Sequence, residues 1–119
     1  MNNSICLMRE VFRALSEFEN ELIRVHDVTL NEAMLLCCLD QEDRKVPFSA
    51  SDISEKTGLT ASHTSKVLRS AEAKELIERS LGSNDRRKMF FELSQKGKER
   101  LVEIKREKVE VPGLLKKLL

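Results

Sequence analysis

The 119-residue sequence predicts a mainly α-helical domain with one small β-hairpin. Three observations carry this expectation. Apolar residues recur at helical spacing over most of the chain. A Gly-containing turn at 58–60 separates two short helical stretches. Two short β-prone runs, at 76–81 and 88–93, flank a polar turn.

From Cys6 to His26, Leu7, Met8, Val11, Phe12, Leu15, Phe18, Leu22 and Ile23 are spaced by three and four. Charged residues fill the gaps, and neither Gly nor Pro interrupts, so a long amphipathic helix is expected. Asn31 is the expected cap of a second helix, with Glu32 in its first turn. That helix runs through Met34, Leu35, Leu36, Cys37 and Leu39. It is apolar on most sides and should be central. The polar stretch at 40–47 ends at Pro47.

Ser49 or Ser51 can then cap a short helix whose inward side is Ala50, Ile53 and the stem of Lys56. Gly58 suits the left-handed position that closes it. Leu59 follows as an apolar plug and Thr60 as the next cap. The helix from Ala61 to about Glu75 buries Thr64, Val67, Leu68 and Ala71. The two β-runs should place Leu81, Met89 and Phe91 against the helices, with a turn rich in Gly, Ser, Asn and Asp between them. Ser94 caps a last long helix carrying Leu101, Val102, Ile104 and Val109. Pro112 and Gly113 break the pattern before an apolar tail of Leu114, Leu115, Leu118 and Leu119.

The length suits one domain with its own core. No apolar run reaches the roughly 18–20 residues that span a bilayer, so no membrane partner is expected. The charged N-terminus is unlike a secretory signal. Three cysteines, two of them adjacent, do not form a disulfide framework, and a cytoplasmic location with reduced thiols is expected. Cys37 and Cys38 read as small core residues. Cys6 stands alone on the first helix.

The two histidines, His26 and His63, have no sequence-level catalytic partner. No GxGxxG, phosphate-loop, HExxH or CxxC pattern occurs, so neither enzyme, cofactor nor metal site is expected. Charge is more informative. Residues 1–60 carry 6 basic and 11 acidic side chains, net −5, whereas residues 61–108 carry 13 and 8, net +5. The basic half therefore offers a side to a polyanion. The helix after Thr60 presents Ser62, His63, Ser65, Lys66 and Arg69 outward, groups suited to base edges and phosphates in a major groove. The hairpin tip adds Arg86, Arg87 and Lys88 beside Asn84 and Asp85, a shape and charge suited to a minor groove. Double-stranded DNA is the expected partner. A protein–protein module and a thiol-based redox regulator are the alternatives.

The stretch from Ser51 to Leu101 resembles the MarR family of winged helix-turn-helix transcriptional regulators. Asp85-Arg86-Arg87 fits the family's D-x-R wing signature. Leu93-Ser94-Gln95-Lys96-Gly97 is similar to its L-T-x-x-G helix start. The resemblance implies that Asp85 braces the wing, that Arg87 enters the minor groove, and that Ser62, His63, Ser65 and Lys66 face the major groove. It further implies a winged helix-turn-helix with flanking dimerisation helices, divided as a dimerisation helix at 1–28, a DNA-binding winged helix at 29–93 and a C-terminal helix and tail at 94–119. A homodimeric repressor on a palindromic operator, with a small-molecule effector possible, is the functional expectation. The resemblance also makes Cys6 a candidate redox thiol, since some family members sense oxidants through a thiol in that helix. Three positions depart from the family pattern. Lys66 replaces an Arg, Glu75 a Gly, and Ala71 a bulkier Leu.

Overall fold

The computed structural model describes residues 3–40, 47–82 and 88–116. The elements run α1 (Asn3–His26), α2 (Leu30–Leu39), β1 (Phe48–Ser49), α3 (Ala50–Thr57), α4 (Ala61–Ala73), β2 (Ile77–Leu81), β3 (Met89–Leu93), α5 (Gln95–Arg106) and α6 (Gly113–Lys116). The fold class is the expected one: mainly helical, with a winged helix-turn-helix at its centre. β2 and β3 form the hairpin, with Ile77 opposite Leu93 and Leu81 opposite Met89. The strand β1 was not expected. It pairs antiparallel on the other edge of β3, giving the order β1-β3-β2. Two residues are too few for an alternating pattern, and Pro47 beside them reads as a break.

α2 is central, packing against α3, α4, α5 and β3. Leu35, Leu36, Ile53, Leu76 and Val28 are fully enclosed. The cap of α2 is Thr29, not Asn31. Thr29 Oγ1 accepts from the Glu32 amide at 3.1 Å, and a Glu32 carboxylate oxygen accepts from the Thr29 amide at 2.8 Å. This is a reciprocal capping box, and the T-x-x-E spacing that specifies it stands in the sequence. Ser49 and Asp52 form the same box on α3, which resolves the choice between Ser49 and Ser51.

Other expectations change at the edges of the core. Cys37 is exposed and Cys38 half-buried, because the core face of α2 is taken by Ala33, Leu35, Leu36 and Leu39. Leu81 is 57% exposed, at the end of the outer strand β2, while Met89 and Phe91 on the central strand β3 do pack inward. Lys56 is exposed, its ammonium 5.8 Å from the centre of the Phe48 ring. Val102 faces solvent, and α5 ends at Arg106, before Val109. α4 ends at Ala73, and Glu75 takes a left-handed φ of 62° in the turn to β2. Glycine is the residue that adopts this conformation without strain.

Two polar contacts join the ends of the molecule. Arg100 donates to the His26 carbonyl at 2.8 Å, and His26 Nε2 lies 2.7 Å from the Glu107 carbonyl. Both tie α5 and the segment after it to the C-terminal end of α1.

Candidate nucleic-acid interface

The helix-turn-helix is built by local hydrogen bonds. Gly58, at φ 78°, closes α3 with its amide donating to the Ser54 carbonyl at 2.9 Å. Thr57 Oγ1 donates to the Ile53 carbonyl, and Ser54 Oγ donates to the Leu59 carbonyl at 2.6 Å. Thr60 then caps α4, its hydroxyl accepting from the His63 amide at 3.1 Å. With the turn fixed at both ends, the direction in which α4 leaves α3 is set by backbone chemistry.

Thr64, Val67, Leu68 and Ala71 form the buried stripe of α4 as expected. Helical geometry therefore turns Ser62, His63, Ser65, Lys66 and Arg69 outward, and all five are exposed. Among the described residues, no carboxylate pairs with Lys66 or Arg69. Cations left unneutralised on a helix face of groove width are what a phosphate backbone requires. Lys88, at the tip end of the two strands where its carbonyl accepts from the Gly82 amide, is exposed as well. Asp85, Arg86 and Arg87, with Asn84, lie outside the described residues.

Two supports of this surface were not read from the sequence. The first centres on Glu32, which is 1% exposed. Its carboxylate accepts from Lys74 Nζ at 2.7 Å, from Ser70 Oγ at 2.7 Å and from the Thr29 amide. Burial pushes its pKa up. The hydrogen bonds from Lys74, Ser70 and Thr29, helped by the Lys74 charge, outweigh this and hold it below the usual carboxylate value. Lys74 Nζ also donates to the Asp27 carbonyl at 2.9 Å. The second support is Arg79 on β2. It grips the Glu72 carboxylate of α4 with two nitrogens, Nε at 2.6 Å, and lies 5.7 Å over the Phe91 ring. The hydrogen bond to Glu72 and that residue's charge raise the Arg79 pKa. Glu32 thus binds α4 to α2, and Arg79 binds the wing to α4. Neither pairing is visible in sequence, because the partners are 38 to 42 residues apart in one case and on different element types in the other.

The hairpin is fixed at its other end by α5. Ser94 Oγ donates to the Glu75 carbonyl at 2.6 Å while also capping α5 through the Gly97 amide at 2.9 Å. The Ser94 amide donates to the Leu76 carbonyl at 3.1 Å. A Cβ on Gly97 would lie 2.0 Å from that same Leu76 oxygen. Gly97 is therefore required by close backbone approach.

Among the described residues, no cluster of three His, Cys, Asp or Glu is placed to hold a metal ion. The two histidines are separate: His26 is buried against α5, and His63 stands on the outer face of α4 with Nε2 at 3.3 Å from Asn31 Nδ2.

A helix-turn-helix whose second helix has an exposed basic face, followed by a two-stranded wing, defines a winged-helix protein. The sequence over residues 28–89 matches the model of the MarR family, and the chain belongs to that family. It is accordingly a DNA-binding transcriptional regulator and not an enzyme. Solved structures with similar architecture include the MepR–DNA complex of Staphylococcus aureus, 19% identical with a TM-score of 0.80, covering 100% of this chain and 86% of that one. BldR of Sulfolobus solfataricus is 23% identical with a TM-score of 0.71, covering 96% and 75%. BpsR of Bordetella bronchiseptica, whose DNA binding is regulated by 6-hydroxynicotinic acid, is 20% identical with a TM-score of 0.72, covering 88% and 77%. Comparison with curated proteins finds no match.

Proposed function

We propose that the chain is a cytoplasmic homodimeric repressor that occupies a palindromic operator. In this reading, α4 enters the major groove through Ser62, His63, Ser65, Lys66 and Arg69. The wing residues Asp85, Arg86, Arg87 and Lys88 reach the adjoining minor groove. The observation that carries the reading is the cationic outer face of α4, unpaired among the described residues and opposed by a fully packed inner face. Residues 29–93 form the reading unit, and 1–28 and 94–119 supply the dimer contact.

The dimer has its own support. Ile5, Leu7, Met8, Phe12 and Leu15 are exposed on the first half of α1. The radius of gyration is 16.2 Å. A compact chain of this length has about 13.5 Å. An apolar helix projecting from a small domain is stabilised by a second copy that covers it. MepR has been captured on DNA, which fits the same mode of action.

A small-molecule effector also fits. A cleft of about 510 Å³ opens between α1, α2, α3 and α5, lined by Phe18, Leu22, Met34, Cys37, Cys38 and Ile104. The regulation of BpsR by a small aromatic acid is consistent with such a site. Cys6 is exposed, as a redox thiol must be.

Selection of bound sequences from a random DNA pool tests the function. The expected result is a two-fold symmetric motif with half-sites about one helical turn apart. Recovery of no motif, with only weak salt-dependent binding, would reject operator recognition.

A further inference from the structure

We propose that Asn31, on α2 and outside the helix-turn-helix, is a positioning residue that determines which base edge His63 can read. The inference rests on the DNA-reading assignment of α4 and extends it to a residue no groove contact would suggest.

His63 is the third residue of α4, in the first turn, where side chains of a groove-bound helix meet base edges. Its ring Nε2 lies 3.3 Å from Asn31 Nδ2. An amide nitrogen carries hydrogens and no available lone pair, so Asn31 donates and Nε2 accepts. The neutral ring must then hold its proton on Nδ1. The free nitrogen of His63 becomes a donor, suited to guanine O6 and N7, adenine N7 or thymine O4 and unsuited to the amino groups of cytosine and adenine.

Asn31 is able to impose this because its backbone is fixed. It sits between Leu30, whose amide donates to Glu19 at 2.8 Å, and Glu32, which is locked to Thr29, Ser70 and Lys74. Ser70 and His63 are seven residues apart, two turns along one stripe of α4. Adjacent residues of α2 therefore hold the same stripe of α4 at two points, Glu32 at Ser70 and Asn31 two turns away at His63. A ring oriented by a group itself held in place keeps one tautomer, as histidines backed by a second hydrogen bond do elsewhere.

The experiment has two readouts. Nitrogen-15 NMR of the free protein reports which ring nitrogen of His63 is protonated. Nδ1–H is expected in the native chain, with a shift toward Nε2–H in Asn31→Ala. Selection from a random DNA pool is then run on both proteins. At one position of each half-site, the native preference for an acceptor base is expected to fall about fivefold in Asn31→Ala, the worth of one hydrogen bond, while affinity for random DNA stays unchanged. A native ring protonated at Nε2 overturns the proposal without any reference to DNA. So does a motif that Asn31→Ala leaves intact. Failure of the native protein to select any motif would instead reject operator reading itself, and the role of Asn31 with it.

Discussion

Gly97 and Glu75 occupy opposite kinds of backbone constraint within one small volume. Gly97 has no room for a methyl group, because the Leu76 carbonyl that would collide with it also accepts from the Ser94 amide. Gly97→Ala should cost about 3 kcal/mol, read as a lowered midpoint in urea unfolding. Glu75 is exposed but has a φ of 62°. Glu75→Gly should gain up to about 1 kcal/mol in the same assay, since relief of left-handed strain exceeds the added entropy of the unfolded chain. Glu32 adds a pH dependence. Its folded pKa lies below the ordinary 4.5, so the stability it confers is present above that value and is lost as pH falls through the folded pKa. Glu32→Gln should lower stability near neutrality by about 2 kcal/mol. The variant's unfolding free energy should also fall less than the native chain's on acidification below pH 4.5. Parallel curves for the two proteins would contradict the assignment.

At the level of elements, α4 and the wing are expected to divide the labour of binding. Arg87→Ala should weaken binding to all sequences and reduce the log–log salt slope by about 1, the signature of a lost phosphate-region cation. Lys66→Ala should change the selected bases more than affinity for random DNA. Electrophoretic or anisotropy titrations at several salt concentrations distinguish the two. The reading of α4 was legible because its buried positions follow helical spacing and its boundaries carry chemical markers: Gly58 in the left-handed region, Thr60 as a cap. Ser94 was legible for the same reason, while Gly97 entered only through the resemblance to the family's helix start, because the Leu76 carbonyl it must clear is 21 residues away. Phe48–Ser49 was not, because a two-residue strand exists only through its partner Phe90–Phe91. Cys37 was misread as a core residue because a strongly apolar helix gives no periodic cue to which side faces out, whereas Cys38 does pack at the edge of the core. Thr29 lost to Asn31 in the sequence reading although its T-x-x-E box was there to be found. The Glu32 and Arg79 pairings depend on tertiary geometry that no local pattern encodes.

Across the whole molecule, the distribution of apolar surface argues for a second subunit. Phe12 is 72% exposed and Met8 50%, on a helix that leaves the body of the domain. Phe12→Asp should yield a monomer by light scattering, with the hairpin and helix-turn-helix still folded. Operator affinity should fall at least a hundredfold, since each subunit would then hold only one half-site. The two ties from α5 to the end of α1, Arg100 to His26 and His26 to Glu107, matter here. Ser94 and Gly97 bolt the root of the wing to one end of α5, and these ties bolt its other end to α1. The α5 rod is therefore pinned at both ends like a crossbar, and if the proposed twin subunit meets α1, the finger on the duplex and that seam are linked through one rigid strut.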